Sequence, residues 1–144
     1  MAVYFIPKHT ARAVKLGSIR ALLAAPRPGV GRRHRHVPPG GLVHLDVKGS
    51  GSMAVRQERI AVRPCILRAR LVMTAAALVR VMDVQHVTPD GERFARLLAA
   101  AEQGAPGDTS VPRQALADWL GFDSWADIAG DDTVDNELIV WSAA

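Results

Sequence analysis

The densest group of chemically able side chains lies in residues 26–41, PRPGVGRRHRHVPPGG, where Arg27, Arg32, Arg33, His34, Arg35 and His36 occur with no acid among them. Each arginine offers a planar fork of donors matched to phosphate oxygens, and clustered cations gain affinity by releasing counterions from a polyanion. Phosphate contact is therefore the chemistry this composition favours, with a solvated cationic turn and a dock for an acidic protein as competing readings. His34 and His36 have a metal-like spacing along an extended chain, but no nearby carboxylate or cysteine completes a ligand set, and no metal is assigned. The two histidines read instead as a solvated pair or a pair near phosphate. His34, His36 and Lys15 are the acid–base candidates, and no catalytic role is assigned to any of them.

The elements that must position this loop follow from periodicity. Its prolines and glycines forbid a regular helix, and it runs into Leu42–Val47, where Val43, Leu45 and Val47 alternate with Leu42, His44 and Asp46 as in a half-buried strand. Upstream, Val3–Ile6 reads as a strand and Ala11–Leu16 as a short helix with Thr10 before it and Gly17 as its stop, while 18–25 is undecided between helix and strand. Downstream, Lys48–Met53 is a turn into an edge strand over 54–62, and Pro64 resets the chain before a strand over 65–73 whose Arg68 and Arg70 share one face. A strand over 78–87, helices over 92–103, 112–120 and 125–129, and a closing strand over 137–141 complete the order. Strand, helix, several strands, helices and a strand predict an α+β fold with a small curved antiparallel sheet or barrel and flanking helices.

A chain of 144 residues with 49% hydrophobic content suits one domain, 1–144, carrying the basic loop at 26–41. The sequence has no apolar run long enough to span a bilayer, so no membrane association and a cytoplasmic location are expected. Cys65 is the single cysteine, which excludes an internal disulfide, and it reads as a small buried residue. Charge is unevenly divided: 14 of the 18 Lys and Arg, but only 2 of the 14 acids, precede residue 71. Either the first half builds a nucleic-acid surface or the two halves neutralise one another on folding. On the first reading, Lys8, Arg12, Lys15 and Arg20 extend the surface of Arg27, Arg32, Arg33 and Arg35, with Arg68 and Arg70 as a cleft wall. Phe5 and the three tryptophans read as core, and the acidic residues Asp131, Asp132, Asp135 and Glu137 as a solvated connection. No phosphate loop, zinc-protease helix or nucleophile elbow occurs, and no cofactor is expected.

The segment LADWLGFDSWADI, residues 116–128, followed by ELIVW, resembles the end of ASCH domains, members of the PUA-like superfamily. The early helix ending in Gly17, the Pro39-Gly40-Gly41-Leu42-Val43-His44-Leu45 entry into a strand, and the strand over 78–87 resemble that family in the same order. The resemblance implies a small β-barrel with helices at its openings and a cleft for RNA or modified nucleosides; some relatives are amidohydrolases acting on acetylated cytidine, and others are linked to RNA cleavage. In the family's catalytic segment a glycine and a basic residue precede lysine and threonine. Here the aligned residues are Gly17, Ser18, Ile19 and Arg20, so Ile19 and Arg20 stand where lysine and threonine are expected. The expectation is a nucleic-acid-binding module, preferably for RNA; a hydrolase acting on RNA or a modified nucleoside and a module binding an acidic protein are the alternatives.

Overall fold

Side-chain alternation builds most of the scaffold. The structure is a computed structural model that describes residues 2–25, 36–48, 57–74, 79–104, 111–129 and 134–143. In chain order it contains β1 (Ala2–Phe5), a 3₁₀ turn (Lys8–Thr10), α1 (Ala11–Leu16), β2 (Ala21–Ala24), β3 (Leu42–Val47), β4 (Glu58–Met73), β5 (Val79–His86), α2 (Thr88–Glu102), α3 (Val111–Leu120), α4 (Ala126–Ala129) and β6 (Val134–Trp141). The class is α+β. The strands form one six-stranded sheet with the path β1-β3-β4-β6-β2, and β5 pairs with β4 off that path. The expected wholly antiparallel sheet is corrected at one pair: β1 lies parallel to β3, with Ala2 beside Val43 and Phe5 beside Asp46. The long connection through α1 and β2 permits this, since parallel neighbours need a crossover and not a hairpin. The sheet is not closed into a barrel; β1 and β2 are the two ends of its path.

The sequence-based break at Pro64 is also corrected, because Glu58–Met73 is one continuous strand. Up to Pro64 it pairs with β3; from Cys65 onward it pairs with β6, and from Leu67 with β5 as well. Pro64 is tolerated because it sits at the exchange of partners. Its carbonyl accepts from Ser142 N–H at 2.9 Å, while the next donor, Cys65 N–H, points to Gly41 O at 2.8 Å. The missing proline N–H thus falls at the last position of the β3 ladder, opposite Leu42.

Two apolar clusters occupy opposite faces of the sheet. On β6, Leu138 and Val140 join Leu67, Ala69, Leu71 and Met73 of β4 under α2, α3 and α4, through Phe94, Leu98, Leu116 and Trp125. Ile139 and Trp141 turn the other way, to Tyr4, Val14, Val43, Leu45 and Cys65. Full burial of each such large side chain stabilises by roughly 1.5–3 kcal/mol before conformational entropy is counted. In β1 the same alternation buries Tyr4 and turns Phe5 outward at 44% exposure, correcting the core reading of Phe5.

The helix ends follow local chemistry. Gly17 stops α1 with φ of 82°, where a Cβ would be strained. α2 begins at Thr88, four residues before the expected start, because Pro89 needs no N–H partner in a first turn and the Thr88 hydroxyl accepts from Gly91 N–H at 3.2 Å. At its far end the buried Arg113 donates from Nε to Ala101 O at 2.9 Å and from Nη2 to Gly104 O at 3.0 Å, closing carbonyls that the helix leaves open. The undecided segment 18–25 contains β2, and β6 starts three residues earlier than the 137–141 expectation.

Two tests follow from this packing. A Cβ placed on Gly91 lies 2.5 Å from Ile66 O, so Gly91→Ala should lower unfolding free energy by about 1–3 kcal/mol in denaturant titration. Burial pushes the Cys65 thiol up to about 11, against smaller opposing effects of the Leu67 backbone and the Arg68 charge. The native protein should therefore resist alkylation at pH about 8 and react only after unfolding, as read by mass spectrometry.

Candidate functional site

Where the sheet path ends, the structure has a cleft of about 480 Å³. Tyr4 and Phe5 of β1 with Ile6 just after it, and Leu22, Leu23 and Ala24 of β2, line it together with Val14, Ile19, Phe122 and Trp141. The cleft exists because the β1 ladder stops. Ile6 N–H makes a last bond to Asp46 O at 2.9 Å, and Pro7 then diverts the chain into the 3₁₀ turn and α1. The lining is largely apolar; His9 and Thr10 add polar atoms, though the Thr10 hydroxyl is already donating to Pro7 O at 2.7 Å.

Tyr4 connects the cleft to the basic segment. Its hydroxyl lies 2.8 Å from Nδ1 of His36, whose Nε2 lies 2.8 Å from Ala25 O. A carbonyl can only accept, so Nε2 carries the proton, and in the neutral ring Nδ1 accepts from the Tyr4 hydroxyl. That hydroxyl in turn accepts from Val37 N–H at 3.3 Å. His36 is 2% exposed, and its ring stacks on Tyr4 at a centroid distance of 5.7 Å. The expected solvated His34–His36 pair is corrected at His36, which is a core histidine with both nitrogens engaged; His34 lies outside the described residues. Ala25 and His36 are the described residues on either side of 26–35, and this bond holds the two of them together.

The predicted phosphate contacts divide into three groups. Arg27, Arg32, Arg33 and Arg35 lie outside the described residues. Arg20, Arg68 and Arg70 pair with acids of the second half of the chain. Arg20 pairs with Asp90 and lies 5.2 Å from the Trp119 ring centroid. Arg68 Nε meets Glu137 at 3.2 Å, and Arg70 grips Asp135 with Nε at 2.8 Å and Nη2 at 2.6 Å. The acids at 135 and 137 therefore lie on β6 as partners of β4, correcting the solvated-connection reading; Asp131 and Asp132 lie outside the described residues. Lys8, Arg12 and Lys15 form the third group. They are exposed, make no ion pair among the described residues, and sit on the turn and helix that bring Pro7, His9, Thr10 and Val14 to the cleft.

Sequence reasoning missed the buried Asp46, which Arg59 grips from the next strand while Arg59 Nη1 lies 2.8 Å from Nδ1 of His44. It also missed Arg113. Neither has a local signal, because their partners are 13 and 12 residues away. Among the described residues no group of histidine, cysteine and carboxylate side chains is placed to hold a metal ion. No described helix is long and apolar enough to cross a membrane. Comparison with protein-family models, with curated proteins and with solved structures finds no match to this chain.

Two outcomes test this arrangement. Tyr4→Phe leaves His36 Nδ1 and Val37 N–H without their hydroxyl partner and should cost about 1–3 kcal/mol in denaturant unfolding. The hydrogen bond from Arg20 holds the Asp90 carboxyl below its ordinary range, with the Arg93 guanidinium assisting. A lowered carboxyl contributes stability that is complete above its unfolded value and lost as pH falls through its folded value. The stability advantage of the wild type over Asp90→Asn should accordingly shrink as pH falls below about 4, as read by chemical denaturation across pH.

Proposed function

We propose that this protein is a nucleic-acid-binding module, preferably for RNA, that receives its ligand at the cleft between β1 and β2. The observation carrying the proposal is the placement of Lys8, Arg12 and Lys15, exposed and unpaired among the described residues, on the elements that form one lip of an apolar cleft. An apolar slot beside a cationic lip suits a ligand with flat apolar bases on a phosphate chain. Arg27, Arg32, Arg33 and Arg35 are proposed as further phosphate contacts on their composition, a cluster of cations with no acid among them. Arg20, Arg68 and Arg70 are assigned to the fold instead, because each guanidinium is held by a carboxylate. The resemblance to ASCH domains supports RNA over other polyanions.

The test is a salt titration of binding to single-stranded RNA, duplex RNA and duplex DNA, with strand length checked by gel at each point. The combined K8Q, R12Q and K15Q variant should bind at least tenfold more weakly at low salt. Its log affinity against log salt should be shallower by about 2, at roughly 0.7 per lost contact to a single strand. The R68Q and R70Q double variant should leave that slope unchanged and lower the melting temperature. Salt-independent binding, or equal loss in both variants, defeats the proposal; shortened RNA would point to a hydrolase in the same cleft.

A further inference from the structure

The outer face of β1 and β3 has a composition that neither the core nor the cleft explains. Phe5 projects from it at 44% exposure, with Leu42 and Val62 also exposed on the neighbouring strands. The described helices lie elsewhere: α2, α3 and α4 pack on the cluster around Leu138, and α1 inserts Val14 beside Tyr4 on the inner face. Large aromatic rings are normally turned into a core, since each buries a large apolar area. Here the inner position of β1 is taken by Tyr4, which anchors His36.

The charges around Phe5 are of one effective sign. Lys48, exposed at the end of β3, places Nζ 5.0 Å from the Phe5 ring centroid, and exposed Lys8 follows three residues after Phe5. Asp46, beside Phe5 in register, is buried and neutralised by Arg59. Phe5 is part-exposed, with an ammonium over one side of its ring. An exposed aromatic and a cation in contact are the pair that a base and its phosphate use, the base stacking on the ring and the cation meeting the backbone. Phe5 is also among the residues that line the cleft, so the two surfaces meet at this residue.

We infer that this face, centred on Phe5 and Lys48, is a stacking platform for a base of single-stranded nucleic acid next to the nucleotide held in the cleft. The inference rests on the nucleic-acid reading above and deepens it by naming the ligand as single-stranded. A duplex keeps its bases stacked within itself and cannot offer one to Phe5. Phe5 therefore supplies preference for single strands, and Lys48 supplies charge.

The experiment compares wild type, Phe5→Ala, Phe5→Trp and Lys48→Ala by fluorescence anisotropy against a labelled oligouridine strand and a labelled RNA duplex. Phe5→Ala should weaken oligouridine binding about tenfold and leave duplex binding nearly unchanged. Phe5→Trp should retain affinity and show additional tryptophan quenching at saturation. Lys48→Ala should make the salt slope shallower for oligouridine. Unaltered oligouridine affinity in Phe5→Ala, while the wild type binds, overturns the platform and leaves the proposed function standing. Equal loss on both ligands, or a fallen melting temperature in both Phe5 variants, also overturns it. A wild type that binds neither ligand removes the proposed function and the platform together.

Discussion

Partner exchange along β4 is the constraint on which the rest of the structure depends. The strand serves β3 in its first part, then β6 and β5 in its second, and the exchange occurs at Pro64 and Cys65. Gly40 N–H donates to Cys65 O and Cys65 N–H donates to Gly41 O, each at 2.8 Å, fastening the proline-glycine entry of β3 to this point. Gly40 adopts φ of 91°, a conformation that a Cβ opposes, which gives the glycine in that entry a physical reason. From the exchange the sheet extends through β3 to β1 on one side and through β6 to β2 on the other. The two ends then line one cleft without forming a ladder to each other.

Electrostatics follow the same geometry. Pairing β4 with β6 sets Arg68 and Arg70 of the basic half beside Glu137 and Asp135 of the acidic half, and Arg20 reaches Asp90 at the start of α2. The neutralisation reading of the charge asymmetry therefore applies to Arg20, Arg68 and Arg70. Cations facing the other half of the chain are neutralised by it. Those on the 3₁₀ turn and α1 are exposed and have no acid paired with them among the described residues. The Asp135 carboxyl is held low by the hydrogen bond from Arg70, although both groups are exposed, and exposed pairs of this kind add little to stability.

The buried polar groups act as fasteners. Tyr4, His36, Val37 and Ala25 form a chain in which each donor meets an acceptor, and it joins β1 to both flanks of the arginine-rich segment. Arg113 does comparable work for the end of α2, with its guanidinium 5.8 Å from the Trp125 ring centroid. Such groups are expensive to leave unpaired in a low-dielectric interior, so they define how their segments meet more strictly than apolar contacts do. The candidate site is accordingly built from the least replaceable part of β1: Tyr4 turned inward to the fastener, Phe5 turned outward to solvent.

Local periodicity by itself determined much of this protein. Val43, Leu45 and Val47 announced β3, Gly17 marked the end of α1, and Cys65 read as a small buried residue. Proximity in space was not legible, and it decided the remainder. No spacing rule indicates that Pro64 lies at an exchange of partners, that His36 folds into the core on Tyr4, or that Arg68 and Arg70 face carboxylates 69 and 65 residues away. The same holds for the cleft, whose walls come from strands separated in sequence by α1. Residue type and alternation set which side of an element is apolar; only the assembled sheet decides which elements share that side, and therefore which charges cancel and which remain exposed.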